Sequence, residues 1–140
     1  MLFRSRRLDS RLRLVLVGDG PLLAGLQQRC PEAVFAGQRH GTDLASHYAS
    51  ADLFVFPSLT ETFGNVTPEA MASGLPVLAF DHAAAGQLIE SGENGWLAPA
   101  GDESAFVRLA QRLVIDATAA RRAGQAADRK STRLNSSHRL

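Results

Sequence analysis

From about residue 12 to residue 120, short apolar runs alternate with stretches in which apolar residues return every three or four positions. The run from Leu12 to Val17 predicts a strand that ends at Gly18-Asp19-Gly20-Pro21. Pro21 suits the first position of a helix, and Leu23, Leu26 and Cys30 would form one face of it. A second strand is expected over Ala33 to Ala36, running to Gly37. Thr42 is placed to cap a second helix with Leu44, Tyr48 and Ala51 turned inward. The third strand, Asp52 to Phe56, enters a loop that leads into a helix, and a fourth, Pro76 to Phe80, leaves that helix. A small-residue turn, Ala83 to Gly86, leads to a short helix ending near Glu90. Asn94-Gly95 is a tight-turn dipeptide before a fifth strand, Trp96 to Ala98. Asp102 caps a last helix whose inward face is Phe106, Leu109, Leu113 and, one turn on, Ala117.

This order, strand then helix with short connections, predicts an α/β fold: a Rossmann-like parallel sheet with helices on both faces. The strands are nearly continuous apolar runs, as strands covered on both faces should be. In such sheets ligands bind beyond the carboxyl ends of the strands. The Gly18 turn, the Gly37 loop, the loop carrying Glu61 and the Asp81 turn all fall on that edge.

Composition narrows the picture. A chain of 140 residues, 45% hydrophobic and 21% charged, is enough for one globular domain. That domain is expected over residues 12–124, after an irregular basic start at 1–11. Residues 125–140 lack an apolar period and resemble adaptor sequence, so a disordered, non-native tail is expected there. A net charge of +1 argues against a nucleic-acid partner. The single cysteine, Cys30, excludes an internal disulfide and offers no metal-binding pair, so it reads as a small buried apolar residue. No apolar run approaches the roughly 20 residues of a membrane span. The start lacks a signal peptide's apolar core, which makes the cytoplasm the expected location.

The candidate chemistry lies in the stretch from Ser58 to Gly74. Glu61 and Glu69 stand eight positions apart around Gly64-Asn65. Pro68 is harmless only in the first turn of a helix, so the cap must be Asn65, Val66 or Thr67. The amides around Gly64 to Thr67 would then be unpaired and suited to an anion such as a phosphate. A carboxylate on this edge is well placed to accept hydrogen bonds from sugar hydroxyls. Gly18-x-Gly20 fails as a dinucleotide fingerprint, because Leu23 occupies the third glycine position and no acid closes the second strand. His40, His47 and His82 read as loop or surface residues.

The segments VGDGPL, FAGQRHGTDL, YASADLFVFPS, ETFGNVTPEAMASGLPVLAFD and ENGWLAPAGD together resemble the C-terminal half of retaining GT-B glycosyltransferases of family four, the glycosyl transferases group one. The resemblance covers about residues 12–120. It implies transfer of a hexose from a nucleotide diphosphate sugar, GDP-mannose or a UDP-hexose, with retention of configuration and with neither metal nor cofactor. By the same resemblance Glu69 would hold the ribose hydroxyls, and Glu61, the catalytic-site candidate, would contact the transferred sugar. The backbone of Phe63, Gly64 and Asn65, with Val66 close by, would hold the sugar and diphosphate. Gly18 and Gly20 would let the backbone approach the donor, and the loop carrying Arg39 would line the base. That family grips the diphosphate with an Arg and a Lys upstream of the first strand seen here, and places its acceptor site in an N-terminal domain. Neither is expected within these residues, so the chain is expected to be a fragment with little turnover of its own. A membrane acceptor fits the family, although no amphipathic anchor is present. Two other readings remain at this point: a nucleotide-sugar epimerase-like enzyme of the same architecture, and a non-catalytic flavodoxin-like binding module.

Overall fold

A computed structural model describes residues 13–18, 20–21, 23–59, 66–116 and 122–129. The chain divides into two compact units, Met1–Ser46 and His47–Leu140. The first holds β1 (Val15–Val17), α1 (Leu23–Arg29), β2 (Val34–Gly37) and the first part of α2 (Gly41–Ser50). β1 and β2 pair in parallel, Val15 with Val34 and Leu16 with Phe35, before the register shifts so that Val17 faces Gly37. Gly37 takes φ +70° and Gly18 φ +130°, values that favour glycine, and the Gly18 N–H donates to the Gly37 carbonyl over 2.8 Å. Cys30 is buried at the end of α1, as expected. Pro21 differs: it lies in the turn before α1 and not at the helix start. Val15, Val17 and Val34 are about half exposed. The expectation that these two strands are covered on both faces does not hold. An apolar run reports what a strand can bury, not what is present to cover it.

The second unit holds β3 (Phe54–Phe56), α3 (Val66–Ala72), β4 (Val77–Phe80), α4 (Ala83–Leu88), β5 (Gly95–Ala98) and α5 (Glu103–Ile115). Its three strands form a parallel sheet in the order β3-β4-β5. All four residues of β4 are buried. Since successive strand residues point to opposite faces, this central strand is covered on both sides. Phe106 of α5 packs on Phe80 with ring centroids 4.8 Å apart, and Ala110 and Leu113 continue the same buried stripe. The periodicity is right for α5, but Ala110 rather than Leu109 sits at its centre. Asp102 caps this helix as expected, its Oδ1 accepting from the Ala105 N–H at 3.0 Å.

Residues 122–129 form a further helix, α6, with Ala123 and Ala127 buried. The ordered fold therefore extends five residues past the expected boundary at 124; residues 130–140 lie outside the described part. α6 escaped detection because its buried residues are alanines and a glycine, which carry no hydrophobic signal. A Cβ at Gly124 would collide with the Gly74 carbonyl and crowd Pro76, so a glycine here lets α6 lie on the turn that feeds β4.

Candidate functional site

α3 is where sequence and structure meet most closely. It starts at Val66, which puts Pro68 in its first turn, where the missing N–H costs nothing. It stops at Gly74, whose φ is +74°. There the Leu75 N–H reaches the Ala70 carbonyl and the Gly74 N–H the Met71 carbonyl, at 3.1 and 3.0 Å. This pair of bonds is the Schellman closure of a helix, and it turns the chain into β4. Because α3 follows β3 and precedes a parallel neighbour, its first turn lies on the carboxyl edge of the sheet.

Two side chains of that first turn matter. Thr67 is fully buried, and its hydroxyl has no hydrogen-bond partner. Glu69 is exposed to solvent, and its charge lies close enough to act on the Tyr48 phenol. Tyr48 is the buried residue of α2, and its ring meets Phe54 of β3 edge-on at 5.7 Å and 76°. Burial, and then the neighbouring Glu69 charge and hydrogen bond, push the Tyr48 phenol up to about 12. At neutral pH the tyrosine is thus protonated and keeps its O–H as a donor. An ionised carboxylate accepts through about four lone-pair positions, so Glu69 is able to take two hydroxyls from a ligand.

The same edge carries a small depression lined by Phe56, Ser58, Ala79, Phe80, His82 and Ala85. These residues come from the carboxyl ends of β3 and β4 and the start of α4. Ala83 here has φ +49°, the one left-handed residue other than glycine among those described. Such a conformation costs about 1–2 kcal/mol, and strained residues gather at functional sites. The expected turn at Ala83 to Gly86 is already helix. Gly86 is tolerated within it because a Cβ there would sit 2.6 Å from Asp81 Oδ1. His82 precedes α4 in extended conformation without capping it through its side chain. Sequence reasoning passed over His82 and Ser58; the only signal for them was their position just after apolar strands.

In the first unit, Gly18 and Gly37 stand together at the carboxyl ends of β1 and β2. A Cβ on Gly20 would meet no protein atom within 4 Å. Arg39 is committed locally. Its Nε donates to the Ala36 carbonyl at 2.7 Å and its Nη1 to Asp43 Oδ2 at 2.9 Å. This fixes the loop after β2 and leaves the remaining guanidinium N–H groups for any ligand. Glu61, Phe63, Gly64 and Asn65 lie outside the described residues, and of Val66 only the helical backbone is described.

No group of three or more His, Cys, Asp or Glu among the described residues could hold a metal ion. No described helix is long and apolar enough to cross a membrane.

Comparison with known proteins gives this arrangement a context. A GDP-mannose-dependent alpha-mannosyltransferase of Mycobacterium tuberculosis (strain CDC 1551 / Oshkosh) is 50% identical over 91 residues, covering 65% of this chain and 24% of that protein. Its namesake from Corynebacterium glutamicum is 40% identical over 107 residues, 76% of this chain and 26% of that protein. The chain thus spans about a quarter of the length of these relatives. Among solved structures, Anabaena Alr3699/HepE in complex with UDP and glucose superposes with a TM-score of 0.74 at 26% identity, over 86% of this chain and 36% of that one. The C-terminal domain of the glycosyl transferase group 1 family protein LpcC from Francisella tularensis shares the fold, with a TM-score of 0.80 at 23% identity over 94% of this chain and 74% of that one. The model of the family described as glycosyl transferases group 1 matches residues 2–116. The chain belongs to the glycosyl transferases group 1 family, and its fold is the Rossmann-like one of their C-terminal domain.

Proposed function

We propose that this chain is the donor-binding half of a retaining, metal-independent glycosyltransferase, and that its donor is GDP-mannose. The observation that carries the reading is Glu69. It is a solvent-facing carboxylate in the first turn of α3, on the sheet edge where ligands of this fold class bind. A vicinal diol is what such a carboxylate accepts from, and a ribose offers one. The relatives at 50% and 40% identity are both named for GDP-mannose, which favours that donor over a UDP-hexose. The solved neighbour holding UDP and glucose, at 26% identity, keeps the UDP-hexose as the alternative.

In this reading Glu69 holds the ribose and Glu61 the hydroxyls of the mannose. The backbone of Phe63, Gly64, Asn65 and Val66 lies along the diphosphate, Gly18 and Gly20 approach the donor, and the loop with Arg39 faces the base. Departure of the diphosphate needs its growing charge neutralised in a site closed to water. We assign that task, and the acceptor site, to an N-terminal domain of the full enzyme. Two variants separate the roles. Glu69→Ala should weaken GDP and GDP-mannose alike, by roughly tenfold or more, the loss expected of a charged hydrogen bond. Glu61→Ala should weaken GDP-mannose and leave GDP unchanged. The reading fails if GDP-mannose binds the double variant as tightly as the parent chain.

A further inference from the structure

We propose that His82 is a specificity-determining residue of the donor site: its imidazole, at the rim of the depression between the carboxyl ends of β3 and β4, receives the C6 hydroxymethyl group of the transferred hexose. The inference rests on the reading of this edge as a donor site, and adds to it a contact to the sugar from a different loop. The depression is lined by Phe56, Ser58, Ala79, Phe80, His82 and Ala85, and it has room for about one water-sized group. Four of these six residues are apolar, so a charged diphosphate would lose hydration there without gaining a partner. A base or a sugar ring is too large to enter. The exocyclic carbon of a hexose meets both constraints, because it carries one methylene and one hydroxyl and stands clear of the ring. Its methylene would rest on the apolar wall and its hydroxyl would reach the rim. There the His82 imidazole is uncommitted: it does not cap α4, and no hydrogen bond or ion pair ties it to the other described residues. A neutral imidazole presents one N–H and one lone pair, and a hydroxyl can answer either. The backbone holds His82 in place. It is extended, at φ −157° and ψ 143°, and the left-handed Ala83, at φ +49°, follows it into α4. Such a strained residue persists only where the surrounding structure holds it. Asp81 is turned the other way, its Oδ1 filling the space that the missing Cβ of Gly86 leaves on α4.

The experiment titrates GDP-mannose, its 6-deoxy analogue and GDP calorimetrically into the chain and its His82→Ala and Glu69→Ala forms. His82 is exposed, so its substitution should leave the fold intact, which thermal melts verify. The parent chain should prefer GDP-mannose to the 6-deoxy analogue by roughly three- to tenfold, the worth of one hydrogen bond. His82→Ala should lose that preference, binding GDP-mannose as weakly as the analogue, while GDP binds as before. A second readout follows the ring itself. The ring-proton signals of His82, identified by their absence from His82→Ala, should shift more with GDP-mannose than with GDP or the analogue. An undiminished preference in His82→Ala, with Glu69→Ala impaired, overturns the role of His82 and spares the donor reading. So do ring signals indifferent to GDP-mannose. Equal weakening of all three ligands by His82→Ala also overturns it, because the residue would then serve the nucleotide or the fold. GDP-mannose bound alike by Glu69→Ala and the parent removes the donor reading, and the proposal with it.

Discussion

Asn94 and Gly95 illustrate what single residues do here that a motif does not reveal. As a dipeptide they announce a tight turn, and a turn does precede β5. The structure gives each a separate task. Asn94 is buried, its Oδ1 accepting from the Glu90 N–H at 2.7 Å and its Nδ2 donating to the Leu88 carbonyl at 3.1 Å. It ties off the end of α4. Gly95 is already in the strand, and a Cβ there would stand 2.7 Å from the Val77 carbonyl. Asn94→Ala would remove both of these hydrogen bonds, and should lower unfolding stability by about 1–3 kcal/mol in a denaturant titration. Tyr48 adds a pH dependence. Its folded pKa of about 12 lies above the ordinary 10.0, so its contribution to stability is complete below pH 10 and is lost as pH rises toward 12. Alkaline unfolding followed by circular dichroism should show this loss in the parent chain, and Tyr48→Phe should lack it. From sequence, the helical spacing identified Tyr48 as inward-facing. It could not say that the phenol feels the Glu69 charge, because the two residues are 21 positions apart in the chain.

At the scale of elements, periodicity found all five strands and the helices between them, with ends displaced by a residue or a few. β1 is shorter than its apolar run, Val15–Val17 against Leu12 to Val17. The Asp102 cap was legible, whereas Thr42, expected to cap α2, lies inside a helix that already starts at Gly41. Asp102→Ala should cost about 1 kcal/mol, read as a shift in the thermal midpoint, through loss of the bond to the Ala105 N–H. Strain was not legible, since nothing in the run of alanines from Ala83 shows that the first takes φ +49°. Ala83→Gly should raise stability by about 1 kcal/mol by relieving that conformation. A loss of stability would mean that the alanine side chain contributes packing worth more than the strain. The α3 region shows both sides of the matter. Pro68 fixed where the helix could begin, because its ring restricts the backbone on its own. The buried, unpartnered Thr67 hydroxyl was not foreseeable, since its burial comes from neighbours distant in sequence.

At the scale of the whole chain, the segments from VGDGPL to ENGWLAPAGD resembled the family closely enough to indicate it, and the match over residues 2–116 agrees. The carboxyl-terminal boundary was misjudged, since α6 is built from small residues whose fit depends on the Gly74–Pro76 turn it covers. A chain ending at Arg129 should melt with the parent, whereas one ending at Asp116 should be less stable. Equal midpoints for the two would show that α6 adds nothing. The central claim is that Glu69 makes this unit a holder of nucleotide ribose, with GDP-mannose as the donor. Its most direct test is calorimetric titration of GDP-mannose, and of a UDP-hexose in parallel, into the chain and its Glu69→Ala variant. The account predicts saturable binding of GDP-mannose, tighter than that of the UDP-hexose and weakened roughly tenfold or more by Glu69→Ala. GDP-mannose bound equally by both proteins would contradict it.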